Sequence, residues 1–337
     1  MVGRWFGGVL GSGLWLLSGV SPAAALPPLE GEDYRLEFYG SARVQVETVR
    51  PDNRREMGSY TGFRDAYSRV GVSGDYLLSP EVTVFGQLEL PLDLVNWEIQ
   101  DPFDHSQDVR VAKIGARGDF GSFSYGKMWM PYYNAIAYPV DMFSSYYSGF
   151  ATFTTFRLSN TISYYSPEFS GFSFALGWSH DNGDGNSDRF QATGSYSVAD
   201  TTLAVGVDRL RKDWRIWGIS LAHTWQQFYV GAKLEIHDSD IAGGYGADGD
   251  SAINLLVAYT LGQNTLKAML AEVDRYGEEV VHLGVDHQFN DSLLFFAEYY
   301  WERESAAITA KRDSGEGTWG SNFSGGQVFL VGARFDF

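Results

Sequence analysis

The 337-residue chain contains no cysteine, so disulfide scaffolds and thiolate metal sites are excluded. It has few basic residues: 25 Lys and Arg stand against 42 Asp and Glu, a net charge of −17. That balance argues against a nucleic-acid partner. Beyond the N-terminal stretch no run of eighteen apolar residues occurs, so helical membrane spans are not expected. The six histidines (His105, His180, His223, His237, His282 and His287) are scattered. Neither a G-x-S-x-G elbow nor an H-E-x-x-H run appears, and no enzymatic step, cofactor or metal site is implied.

What is present begins with a targeting pattern. Arg4 precedes an apolar run from Phe6 to Val20, and Pro22 and Ala23-Ala24-Ala25 supply a cleavage-type ending. Residues 1–25 read as a cleaved signal peptide and 26–337 as one domain. Without Arg4, 24 basic and 42 acidic side chains leave a charge of about −18. Aromatics make up 16% of the chain and glycine contributes 39 residues, a mixture suited to many strands, tight turns and interfacial belts.

Alternation with period two recurs in segments of roughly ten residues. Leu36, Phe38, Gly40, Ala42, Val44 and Val46 share one face, opposite Arg35, Glu37, Tyr39, Ser41, Arg43, Gln45 and Glu47. Ile253, Leu255, Val257, Tyr259 and Leu261 are in phase, as are Leu293, Phe295, Ala297, Tyr299 and Trp301. A soluble sandwich and a membrane barrel both alternate in this way; the connections separate them. Short turns at 79–80, 119–121, 167–171, 199–200, 226–227, 262–264 and 290–291 alternate with generally longer polar segments. The longer segments are 48–66, 92–108, 128–156, 180–188, 210–213, 238–250, 274–278 and 303–323. Seven turns and eight outer segments separate sixteen strands, the bacterial outer-membrane pattern, and sixteen strands enclose a water-filled lumen. The expected fold is therefore all-β, a transmembrane antiparallel β-barrel of 16 strands. Around 214–225 both faces are largely apolar, which suggests a subunit interface or a slipped phase.

The third outer segment, 128–156, is rich in rings: Trp129, Tyr132, Tyr133, Tyr138, Phe143, Tyr146 and Tyr147 among them. So aromatic a segment should not stay in solvent; folded into the lumen it would narrow the pore. Arg43, Arg69, Lys113, Arg117, Lys233 and Arg334 fall in the phase opposite the apolar face, while counting phase puts Arg110 opposite Lys113. Asp141 is the only acid between Met128 and Phe156. A basic wall facing that acid would set a field across the constriction. The acidic loop 181–188 resembles the start of a calcium loop but lacks its closing Glu, so a solvated turn or weak divalent contact is the simpler reading.

Several pieces in order carry a resemblance. These are Phe38-Tyr39-Gly40, Ser68-Arg69-Val70-Gly71-Val72-Ser73-Gly74, GARGDFGSFSYGK from Gly115 to Lys127, NTISYYSPEFSG from Asn160 to Gly171, and the ending Gly332-Ala333-Arg334-Phe335-Asp336-Phe337. The chain resembles the trimeric, sixteen-stranded general porins of Gram-negative outer membranes. The resemblance implies a homotrimer with the third loop folded into each lumen, and passive diffusion of ions and small hydrophilic solutes. It implies contact with outer-membrane lipid and lipopolysaccharide, and delivery to the barrel-assembly machinery through a terminal strand ending in Phe337. By the same likeness Arg69 and Arg110 belong to the basic wall, Lys127 stands at the loop entrance, Arg157 near its exit, and Asp141 matches a loop acid. The Pro-Glu-Phe-Gly step expected after that acid is replaced by Met142-Phe143-Ser144-Ser145. One alternative is a solute-selective porin in which the rings of 128–156 bind a sugar or aromatic solute saturably; another is a non-conducting barrel.

Overall fold

The computed structural model describes residues 27–337 apart from positions 56, 105, 276, 305–306 and 309–324. The signal peptide expected at 1–25 and most of the outer segment 303–323 lie outside the described residues.

Sixteen antiparallel strands close on themselves. They are β1 (Tyr34–Pro51), β2 (Tyr60–Asp65 continued by Ser68–Ser79), β3 (Val82–Leu92), β4 (Val111–Gly118), β5 (Gly121–Trp129), β6 (Arg157–Tyr165), β7 (Phe172–Ser179) and β8 (Arg189–Val198). There follow β9 (Thr201–Arg211), β10 (Trp214–Trp225), β11 (Phe228–Ser239), β12 (Ser251–Leu261), β13 (Asn264–Val273), β14 (Gly277–Gln288), β15 (Leu293–Glu302) and β16 (Gly326–Asp336). Each strand pairs with the next, and β16 pairs with β1 from Gly326↔Pro51 to Asp336↔Ser41. Closure removes the sheet edges that would otherwise invite aggregation. A two-residue strand, Leu29–Glu30, pairs with the start of β1.

The alternation in the sequence becomes inside and outside. Ile253, Leu255 and Val257 of β12 are exposed, while Ala252, Asn254 and Leu256 between them are buried. In hydrocarbon every backbone polar group must be satisfied internally, and the closed ladder does so. Rings gather on the outer surface at the short-turn end, where Phe123 meets Tyr164 at 4.5 Å and Phe228 meets Tyr259 at 4.6 Å. Such girdles suit an interface that is part apolar and part wet. The turn at 199–200 opens on Ala199 at φ 48°, and that at 226–227 on Gln226 at φ 56°. The seven turns stand where the sequence places them, to within two residues.

Two expectations are corrected. The outer segment 48–66 is largely strand: β1 runs on to Pro51 and β2 begins at Tyr60. The strand β10 has neither a slipped phase nor a bulge against β11, its register running unbroken from Trp214↔Ser239 to Trp225↔Phe228. Its inward residues Trp214 and Ile216 are buried while Trp217, Ile219 and Leu221 face outward. One side of the strand packs against segment 130–156, with Tyr132 and Ile136 over Gly218.

Candidate functional site

Between β5 and β6 the backbone leaves the sheet for 27 positions, 130–156, with a π-helical turn at Tyr133–Ala137 and a 3-10 turn at Tyr138–Val140. Backbone outside regular structure still needs hydrogen-bond partners when buried. Polar side chains from many strands supply them. Gln191 of β8 accepts from the Tyr132 N–H at 2.9 Å, and Ser220 of β10 donates to the Ala135 carbonyl at 2.6 Å. The Tyr229 hydroxyl of β11 donates to Pro139 at 2.7 Å and Lys267 of β13 to Met142 at 3.0 Å. Glu298 of β15 and Gln45 of β1 accept from the N–H groups of Ser144 and Tyr146, each at 2.9 Å. On β11, Lys233 donates to the Ala151 carbonyl while Glu235 accepts from Thr152 and Phe153.

Glycines make the seat. A Cβ on Gly218 of β10 would stand 2.2 Å from the Tyr132 hydroxyl, and one on Gly231 of β11 would stand 2.3 Å from the Pro139 carbonyl oxygen. Gly206 lies directly across from Gly218, so two neighbouring strands share one notch under Tyr132 and Ile136.

The seven rings singled out in the sequence do not form one open surface. Tyr132, Tyr133, Phe143, Tyr146 and Tyr147 are buried, Trp129 is half-buried, and only Tyr138 is exposed, at 43%. The buried rings pack on one another and on the wall. Trp129 stacks on Tyr133 at 4.7 Å, Tyr146 on Tyr67 at 5.5 Å, Tyr147 on Tyr300 at 5.0 Å and Phe143 on His282 at 3.5 Å. Arg64 lies 3.9 Å over Tyr146. Tyr67 reaches its stack because β2 breaks there, with Tyr67 itself at φ 66°.

The basic side chains divide into two groups. Arg110 stands just before β4, free of the strand's alternation, and is buried against Glu89 at 2.9 Å and Asp101 at 3.2 Å. The phase count that set it opposite Lys113 is therefore overturned. Arg157 joins the same cluster, 3.4 Å from Asp101 and 4.6 Å over the Trp129 ring. Arg43, Arg69, Lys113, Arg117 and Lys127 remain partly accessible. Arg117 pairs with Asp75 at 2.7 Å and Lys127 donates to Gln107 at 3.3 Å. Asp141 accepts from the Tyr133 hydroxyl at 2.7 Å, and burial holds its carboxyl above the usual aspartate range.

Phe337 continues the β16–β1 pairing, exchanging backbone hydrogen bonds with Gly40, over which its ring lies. The loop at 181–188 joins β7 to β8 without flanking α-helices; His180, Asp181 and Asp188 meet there at the surface, their ligand atoms within 4.8 Å.

Sequence reading missed Glu89 and Asp101, buried against Arg110, and Tyr67 at the break in β2, as well as the pairs Lys233–Glu235, Lys267–Asp286 and Arg189–Asp208. The partners of Glu89, Asp101, Lys267 and Arg189 stand on other strands or loops and carry no common spacing, whereas Lys233 and Glu235 stand two residues apart on one face of β11.

A family model described as Gram-negative porin matches residues 13–307. The chitoporin of Vibrio furnissii is 29% identical over 188 residues, 52% of this chain and 51% of that protein. The chain thus spans about half the length of that relative. An anion-selective porin from Comamonas acidovorans superposes with a TM-score of 0.69 at 18% identity, covering 90% of this chain and 100% of the other. OmpT of Vibrio cholerae, in its trimer form, gives 0.65 at 16%, covering 91% and 100%. With the closed barrel of sixteen strands, these matches settle the assignment: the chain belongs to the Gram-negative porin family, whose place is the outer membrane.

Proposed function

We propose that the barrel is a diffusion pore for ions and small hydrophilic solutes, with segment 130–156 folded into the lumen as its constriction. One observation carries this reading. The segment is hydrogen-bonded to inward side chains of β1, β8, β10, β11, β13 and β15, well apart around the wall. A loop lying over the outside of the barrel would not reach them. Arg43, Arg69, Arg110, Lys113, Arg117, Lys127, Asp141 and Arg157 are its charged lining. No chemical step is assigned; the solute gradient drives transport, and size and field at the constriction select.

The protein is read as a homotrimer, a form named for the OmpT neighbour. Its outward apolar band meets outer-membrane lipid, its acidic outer loops meet lipopolysaccharide, and the strand ending in Phe337 is the part offered to the assembly machinery. A solute-selective pore is the second reading, favoured by the chitoporin relative and by the exposed Tyr138. The burial of five of the seven rings favours general diffusion.

Planar-bilayer recording of the refolded protein tests the reading. Stepwise openings are expected, with larger conductance when 143–150 is replaced by a short glycine linker. Silence from a verified folded barrel overturns it. Saturable block by one neutral sugar class would favour the selective pore.

A further inference from the structure

The space that segment 130–156 leaves open is one-sided. On β8 to β15 many inward positions are covered: Gln191, Ile216, Lys233, Asn254, Met269, His282 and Glu298 are all buried, while Asp286 of β14 keeps partial access. Across β16 and β1 to β4 the inward side chains of Arg334, Arg43, Arg69, Lys113 and Arg117 remain accessible. Water and solute therefore pass along the basic wall.

Three of these guanidinium groups are neighbours. Arg334 of β16 is the cross-strand partner of Arg43 of β1, and Arg69 of β2 is the partner of Ser41, two residues from Arg43 on the same face. Like charges directly opposite destabilise a sheet, and little on the wall relieves them. Asp336 accepts from Arg334 at 2.6 Å and from Ser41 at 2.5 Å. Glu89 is 3.8 Å from Arg69, yet its carboxylate also takes Arg110 at 2.9 Å and the Tyr39 hydroxyl at 3.2 Å. Arg43 donates to Ser41 at 2.7 Å, and among the described residues no carboxylate lies within 4.0 Å of it. Lys113 likewise has no such pairing among the described residues. Glu89 and Asp101 balance Arg110 and Arg157. Asp336 and Asp75 then offset two of the five accessible cations, leaving an excess of three, which Asp141 on the facing segment and the one surplus carboxylate beside Lys267 reduce by at most two. Tyr138, exposed on that segment, offers a hydroxyl.

We infer that Arg43, Arg69 and Arg334 form a subsite for a small oxyanion, a phosphate, sulfate or carboxylate, and that the pore passes anions in preference to cations although the chain carries −17. The acids behind that net charge stand largely in the outer loops, at Asp181, Asp184, Asp188, Asp240 and Asp248, or in buried pairs. The inference rests on the diffusion-pore reading.

The test is the reversal potential of the refolded protein in a potassium chloride gradient. Chloride preference is expected. A unit charge acting across roughly 6 Å of water changes local ion concentration about threefold. Arg43→Gln with Arg69→Gln should therefore lower the local chloride concentration roughly tenfold and reduce chloride preference with it. The paired Lys substitutions should retain it. Inorganic phosphate should reduce chloride current through the wild type in a concentration-dependent way, and less through the Gln pair. A conducting wild type that prefers potassium, or one whose chloride current is indifferent to phosphate, overturns the inference and leaves the pore reading standing. Absence of any conductance overturns both.

Discussion

Replacing Glu235 with leucine should release segment 130–156 from the wall without opening the barrel. Glu235 and Lys233 have fully buried side chains and meet at 2.6 Å. Glu235 also accepts from the Thr152 hydroxyl and the Phe153 N–H, while Lys233 donates to the Ala151 carbonyl at 2.9 Å. In Glu235→Leu the ammonium keeps only that carbonyl. Removing one partner of a buried ion pair costs about 3–5 kcal/mol, because the other charge is left uncompensated. The backbone ladder of β11 with β10 and β12 does not depend on either side chain, so the cost falls on docking of the segment. That shifts the docking equilibrium by roughly two to four decades. Lys233→Met with Glu235→Leu removes both charges and should recover most of the loss, leaving the N–H of Phe153, whose loss costs about 1–3 kcal/mol. Single-channel recording reads the outcome: a steady open level for the wild type, flickering and a changed conductance for Glu235→Leu, and an intermediate record for the double variant. A single wild-type level in Glu235→Leu would refute the anchoring role. A double variant noisier than the single one would refute the uncompensated-charge argument.

Three further outcomes are expected. Because burial raises the Asp141 carboxyl above the ordinary 3.8, it takes up its proton at higher pH than free aspartate and removes one negative charge from the path; reversal potentials measured from pH 7 downward should move toward anions, and Asp141→Asn should abolish that part of the shift. Leu255→Arg puts a charge at the middle of β12 on the outward face and should destabilise the barrel in bilayers by about 2–4 kcal/mol, measured by urea unfolding against the wild type. Gly218→Val puts a methyne where the Tyr132 hydroxyl stands 2.2 Å away; overpacking of about 1–3 kcal/mol should push the segment toward the open side and lower conductance, whereas an unchanged channel would show that the glycine seat is not used.

The number of strands, their phase and the sites of the turns were legible in the amino-acid order, because alternation and turn chemistry are local. Leu36, Phe38 and Val46 face outward as their period requires, and 199–200 and 226–227 are turns. The aromatic segment and its single acid were legible for the same reason. What the rings of Tyr146 and Tyr147 pack against was not, since Tyr67 and Tyr300 lie far away in the chain. The apolar inner face of β10 made sense only once Tyr132 and Ile136 were seen to sit on Gly218. Arg110 escaped the phase count because it stands outside the strand, where alternation does not bind it. The sequence by itself thus determined a barrel and which side chains point inward. Only the tertiary structure decided which inward charges are cancelled, because Glu89 and Asp101 reach Arg110 from a neighbouring strand and a loop, contacts that no spacing in the sequence announces.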